Sequence, residues 1–178
     1  MKPAKSFYGV LTFCLMMSVN LATTSLAQGI GTPFAKGGAG AKGPIKITAD
    51  SLFIRQKSKT AVFTGNVFAT RGTVRLKSKK MTVYYEEKQI GGQKKTKAKL
   101  IHAEGNVHVT SKDQLAKGNW AKMDMNTGII TMGDKVFLSQ GKTTLKGSKL
   151  EVNTKTGISR LLSNKKGGRV EGFFVPSK

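Results

Sequence analysis

The stretch FTGNVFAT, residues 63–70, is echoed forty residues later by AEGNVHVT, residues 103–110. In both, a Gly-Asn pair is followed by a valine and then by side chains that alternate along the chain. Such alternation puts one set of residues on one face of an extended strand. Counted from the valine, the echo runs on. Val67, Val107 and Val136 are followed at nine residues by Leu76, Ala116 and Leu145, at fourteen by Met81, Ala121 and Leu150, and at sixteen by Val83, Met123 and Val152. A small residue stands at eleven: Ser78, Gly118 or Gly147. In the last two copies a Thr-Gly turn follows at twenty, Thr127-Gly128 and Thr156-Gly157. The pattern predicts three copies of a strand, turn, strand, turn, strand unit, spaced by forty and twenty-nine residues. Leu52 lies fifteen residues before Val67, as Ala121 does before Val136, so half a unit precedes the first copy.

From Pro44 to Phe174 helical spacing is almost absent, and short period-two runs such as PIKIT, TVRLK, MTVYY and KVFLS dominate. Gly-Asn, Asn-Thr-Gly, Gly-Asp-Lys, Lys-Thr-Gly and Gly-Gly read as turn signals between them. The expected fold is all-β and antiparallel: an open β-jelly roll built from repeated hairpin units, with a continuous apolar interior. Strand parity assigns Leu52, Val67, Leu76, Met81, Val83, Val107, Met123, Val136, Leu138, Leu145 and Leu150 to that interior. Their neighbours are mostly Lys, Arg, Thr, Asn, Glu or His, which puts a polar and basic face opposite.

The chain opens with Lys2 and Lys5, continues through FYGVLTFCLMM and reaches Ser25-Leu26-Ala27, the form of a secretory signal cleaved after about Ala27. The apolar run falls short of the roughly 20 residues that span a bilayer. The sole cysteine, Cys14, would leave with residues 1–27, so no disulfide is expected. Residues 28–43, rich in Gly, Ala and Lys, read as a flexible leader, residues 44–175 as one β domain, and residues 176–178 as a tail. The first repeat carries eleven extra residues within EEKQIGGQKKTKAK, residues 86–99, which reads as an inserted, lysine-bearing hairpin loop. The formal charge is +22, and loss of Lys2 and Lys5 takes it to +20, which implies an anionic partner.

Catalysis is not expected. The nine carboxylates are scattered, and His102 and His108 lack a third ligand at metal spacing. Nucleophile-elbow, phosphate-loop and zinc-protease motifs are missing, and no cofactor is implied. Tyr84, Tyr85 and Trp120 do not interleave with lysine along one strand, so no nucleic-acid partner is expected. The interior is rich in Ala and Met, including Ala69, Ala116, Ala121, Met125 and Met132. This suits either a packed core or a groove adaptable to acyl chains.

Residues 44–85, PIKITADSLFIRQKSKTAVFTGNVFATRGTVRLKSKKMTVYY, resemble the start of the mature LptA/OstA family of periplasmic lipopolysaccharide-transport proteins. The marks are Pro-Ile-x-Ile, the Phe-Thr-Gly-Asn-Val element and the basic strand after it. AEGNVHVTSKDQLAKGNWAKMDMNTG and GDKVFLSQGKTTLKGSKLEVNTKTG are similar to the family's second and third units. The resemblance implies a jelly roll bent like a folded taco, whose groove holds the acyl chains of lipid A. It also implies head-to-tail assembly between an LptC-like inner-membrane partner and an LptD-like outer-membrane partner. Its opening isoleucines, here Ile45 and Ile47, would line the groove. From a different class, a basic periplasmic structural or adhesive β protein with a dry core remains the alternative.

Overall fold

The computed structural model describes residues 43–163 and 168–175. The expected signal segment with Cys14, the leader up to residue 42 and the tail at 176–178 lie outside the described residues. The chain forms β1 (Lys46–Thr48), β2 (Ser51–Arg55), β3 (Thr60–Arg71), β4 (Val74–Ile90), β5 (Gln93–Ser111), β6 (Gln114–Asp124), β7 (Ile129–Gln140), β8 (Thr143–Asn153), β9 (Ser159–Leu162) and β10 (Glu171–Phe173). They make one sheet in the order β1-β3-β4-β5-β6-β7-β8-β10, with β2 also on β3 and β9 also on β8. Every pairing is antiparallel. The all-β, antiparallel, open architecture is therefore the one expected. Both ends of the sheet are short edge strands, β1 with β2 and β9 with β10.

Cross-strand register turns the sequence repeat into rows. Leu52, Phe63, Met81, Ala103, Ala121, Met132, Leu150 and Leu161 are successive partners across eight strands. A parallel row runs Ile54, Ala61, Val83, Ile101, Met123, Ile130, Val152, Ser159. Nearer the other strand ends lies a third: Ile47, Ala69, Leu76, Val109, Ala116, Leu138, Leu145, Gly172. Directly opposed side chains are the stabilising unit of a sheet, so the repeat is a stack of cross-strand contacts.

Between the third row and the other two, every pairing from β3 to β8 slips, with the extra residue on β3, β5 and β7. The register slips between Thr64 and Val67, Lys77 and Lys80, Glu104 and Val107, Lys117 and Trp120, and Gly133 and Val136. Gly65-Asn66 and Gly105-Asn106, expected as hairpin turns, are these bulges: their φ angles are +78° and +44°, and +77° and +50°. Gly-Asp-Lys is likewise a bulge, with Asp134 and Lys135 at +61° and +60°. The reason is positional, since the left-handed conformation that Gly and Asn tolerate serves a bulge as readily as a turn. Each repeat is thus two long bent strands. Just past the bulge Val67, Val107 and Val136 face Ser78, Gly118 and Gly147. A Cβ on Gly118 would lie 2.6 Å from Met132 Cγ, and one on Gly147 would lie 2.7 Å from Leu161 Cγ. The small residues let these side chains cross the corner.

The two Thr-Gly motifs are turns of one design. Asp124 Oδ1 accepts from the amides of Asn126 and Thr127 at 2.8 and 2.9 Å, and Asn153 Oδ1 accepts from those of Lys155 and Thr156 at 3.0 and 3.1 Å. Those backbone donors hold the Asp124 carboxyl below its ordinary range. The lysine-rich insertion differs from the expected loop: Tyr85 pairs with Ala98, and pairing continues to Ile90 with Gln93 at the Gly91-Gly92 tip. It is a two-stranded ribbon continuous with β4 and β5.

Buried core residues come from both sides of the bulge line, with Met81, Met132, Leu150, Val67, Val107, Val136 and Val152 the largest that are fully enclosed. Met81→Ala is expected to destabilise by about 2–5 kcal/mol, whereas Leu52→Ala, at a site 52% exposed, should cost less than about 1 kcal/mol. Urea unfolding at low protein concentration measures both, and equal losses would contradict the placement of the core.

Candidate functional site: an apolar cleft along the folded sheet

The bulges bend each strand, so the two halves of the sheet's inner face turn toward one another. A cleft of about 120 Å³ results, lined by Ala69, Leu76 and Val109 from one side of the bulge line and by Met81, Ile101, Ala103, Ala121, Met123, Ile130, Met132 and Leu150 from the other. Ile45, Thr70, Arg71 and Val74 close one end, and Lys122 borders the cleft as well. Its walls are almost wholly hydrocarbon, and cavities of this kind stay dry and accept apolar ligands. Met81, Met123 and Met132 supply adaptable walls.

Most residues expected in the interior come together here. Ile45, Leu76, Met81, Met123 and Leu150 line the cleft. Val67, Val107, Val136 and Leu138 are buried in the surrounding core, and Ile47, Val83 and Leu145 pack against it half-buried. Leu52 departs from the expectation. It has the right parity, opposite Phe63, but it sits on the short edge strand β2, where none of the described residues covers it, and is 52% exposed.

Sequence parity passed over several lining residues. Ile101, Ala103 and Ile130 were legible in principle: they are the cross-strand partners of Val83, Met81 and Met123. Arg71 has the parity of Val67 and Ala69, four and two residues before it, so that signal was present as well. The fifth inner row, Arg71, Val74, Ser111, Gln114, Gln140 and Thr143, gives this end of the trough a polar lip.

The outer face is basic but not purely polar. Phe68, Lys77, His108, Lys117, Phe137 and Lys146 are consecutive cross-strand partners. Lys77 Nζ lies 6.0 Å from the Phe68 ring centre and Lys117 Nζ 5.9 Å from that of Phe137. Lysine and aromatics therefore interleave across strands, an order invisible along any one of them. Nearer the strands' other ends, Trp120 lies flat over Gly133, with Lys122 Nζ 5.7 Å from its ring and His102 edge-on at 6.5 Å. Burial is the main influence holding His102 below its usual range. Lys122 and Lys80 add to the effect and Glu104, with a carboxylate oxygen 3.9 Å from Nδ1, opposes it. At neutral pH this contact is consequently not an ion pair. Among the described residues no three His, Cys, Asp or Glu side chains gather as metal ligands would.

Comparison with known proteins agrees with this geometry. The family described as LptA/(LptD N-terminal domain) LPS transport protein matches residues 46–158. An uncharacterized protein of Rhizobium meliloti is 35% identical over 133 residues, which cover 72% of this chain and 69% of that protein. The crystal structure of LptH, the LptA homologous periplasmic component of the lipopolysaccharide transport device of Pseudomonas aeruginosa, superposes with a TM-score of 0.64 at 18% identity. That match covers 76% of this chain and 98% of LptH. With the fold shared and the family match running through all three repeats, the chain belongs to the LptA/LptD N-terminal-domain family of lipopolysaccharide transport proteins, whose work is transport rather than catalysis.

Proposed function

We propose that this chain is a periplasmic lipopolysaccharide-binding bridge, exported by a signal cleaved after about Ala27, which holds lipid A acyl chains against the inner rows of its sheet. The observation that carries the proposal is the almost wholly hydrocarbon lining of a cleft that crosses the sheet from β3 to β8. A buried methylene contributes about 0.8 kcal/mol, so a twelve-carbon chain contributes roughly 10 kcal/mol. Attraction of about 1 kcal/mol per basic residue at a surface cannot replace that; a carrier has to cover the chains. The present cleft accommodates only part of one chain, so loading requires the two halves of the trough to part along their contact. The open edges of the sheet leave the halves hinged only at the bulge line.

The edges supply the second half of the reading. Leu52, Phe53 and Ile54 on β2 are 52–59% exposed, and Phe173 and Phe174 at the β10 end are 64% and 57% exposed. Unpaired strands bearing large apolar side chains invite strand addition. Pairing the C-terminal edge of one copy with the N-terminal edge of the next is heterologous and gives rods. The same edges suit an LptC-like partner at one end of such a rod and an LptD-like partner at the other.

Photo-crosslinking residues placed at Ile47 or Met123 are expected to capture lipopolysaccharide, while one at outward Arg75 should not. Capture at Arg75 alone would refute the trough. The complex should persist in 1 M salt, where charge-driven adhesion is screened to about 3 Å; dissociation there favours a dry-cored adhesive protein instead. By light scattering coupled to size-exclusion chromatography, mass should rise with concentration, and Gly172→Pro, which distorts the β10 edge, should suppress the rise. A strict monomer at high concentration would rule out self-assembly.

A further inference from the structure

The chain carries 31 Lys and Arg residues, and among the described ones Arg71 alone falls in the inner rows of the sheet. Across the rows that begin at Arg71, Ile47, Val67, Leu52 and Ile54, every position other than Arg71 is uncharged. Arg71 ends β3 and faces Val74, the first residue of β4, across the hairpin. Both line the apolar cleft at its polar lip. The Arg71 Nε is buried and has no hydrogen-bond partner among the described residues. None of the ion pairs among those residues includes it.

A buried donor without an acceptor is unfavourable, more so on a charged group. Elsewhere among the described residues cations stand on the outer face, on turns or on the ribbon; Lys122, which also borders the cleft, belongs to an outer cross-strand row with His102 and Thr131. A guanidinium at the end of a hydrocarbon cleft is rational when an anionic oxygen is delivered to it by the molecule whose chains fill that cleft. Its fixed fork matches phosphate or carboxylate in two-point contact, which a lysine cannot reproduce.

We infer that Arg71 is the head-group anchor of the trough: it binds a phosphate of an acyl amphiphile whose hydrocarbon lies toward Met81 and Met123. The inference rests on the acyl-binding reading above and adds a direction to it. The head lies at the lip formed by Arg71, Ser111, Gln114 and Gln140, and the chain ends point past the bulge line. The exposed turn lysines Lys112 and Lys142 stand beyond the same lip and draw the anion toward it. Arg71 is a contact for the cargo, not a strut of the fold.

The test uses the full mature chain with two probes of equal length, dodecyl phosphate and dodecanol, titrated by calorimetry against the native protein, Arg71→Gln and Arg71→Lys. The native protein should favour the phosphate, and the phosphate-to-alcohol affinity ratio should fall about tenfold or more in Arg71→Gln. Arg71→Lys, which keeps the charge without the fork, should fall by less. An unchanged ratio in Arg71→Gln overturns the anchor while leaving the trough intact. If dodecanol fails to bind the native protein, the acyl trough fails and the anchor falls with it. Far-UV circular dichroism checks that the variants fold. Should Arg71→Gln be unfolded, Arg71→Lys carries the comparison, and a ratio equal to the native one then counts against the anchor.

Discussion

The two halves of every long strand have to show their apolar side chains on one face of the sheet across a bend. That requirement shapes the whole molecule. Strict alternation does not meet it on every strand: on β3 Phe63 and Val67, four residues apart, keep one parity, but on β4 Leu76 and Met81, five apart, both face inward. The slip is absorbed at the corner, where β3, β5 and β7 each carry one residue more than the strands they face, at Gly65-Asn66 and Gly105-Asn106 among others. Because these corners fall at matching positions, they form a line across the sheet. Along that line the sheet folds, and its two apolar halves meet.

The cleft follows from that fold and from the choice of side chains at the corner. Gly118 and Gly147 leave room for Met132 and Leu161 to lie across the bend, which closes the trough without filling it. The alanines at 69, 103 and 121 keep its walls shallow, and the methionines give them freedom to adjust. A globular core of this size would ordinarily be filled by Leu, Ile and Phe. Here Phe63 packs against the core, while Phe68 and Phe137 stand on the outer face beside lysines of the next strand. Lysine stems cover part of those rings while their ammonium groups remain in water, so the basic face and the outer aromatics stabilise one another.

An open sheet that does not close on itself leaves its first and last strands each with one edge unpaired among the described residues. Barrels avoid that liability; this protein retains it at both ends, with bulky side chains exposed on β2 and at β10. In the bridge proposed above, the same openness is what lets the trough extend from one copy to the next and its halves part. Fold and transport role thus share one physical origin, an apolar surface that is folded over but never sealed.

How much of this could be read along the chain depends on which interactions are local. Strand content, antiparallel pairing, the threefold repeat and the inner residues Met81, Val107 and Leu150 follow from side-chain periodicity, which each strand expresses by itself. Gly-Asn was recognisable as a break in regular backbone but not as a bulge rather than a turn, since both use left-handed φ and differ only in where the chain goes next. Leu52 had the correct parity, yet its exposure depends on how many strands lie beyond it. Arg71 had that parity too, but its place at the lip of the cleft depends on the neighbours that β4 and β5 bring to it. The sequence alone therefore determined which side chains share a face, because that is a property of the strand. Only the tertiary structure decided where that face is covered, where it is open and where Arg71 stands on it, because those depend on contacts between residues far apart in the chain.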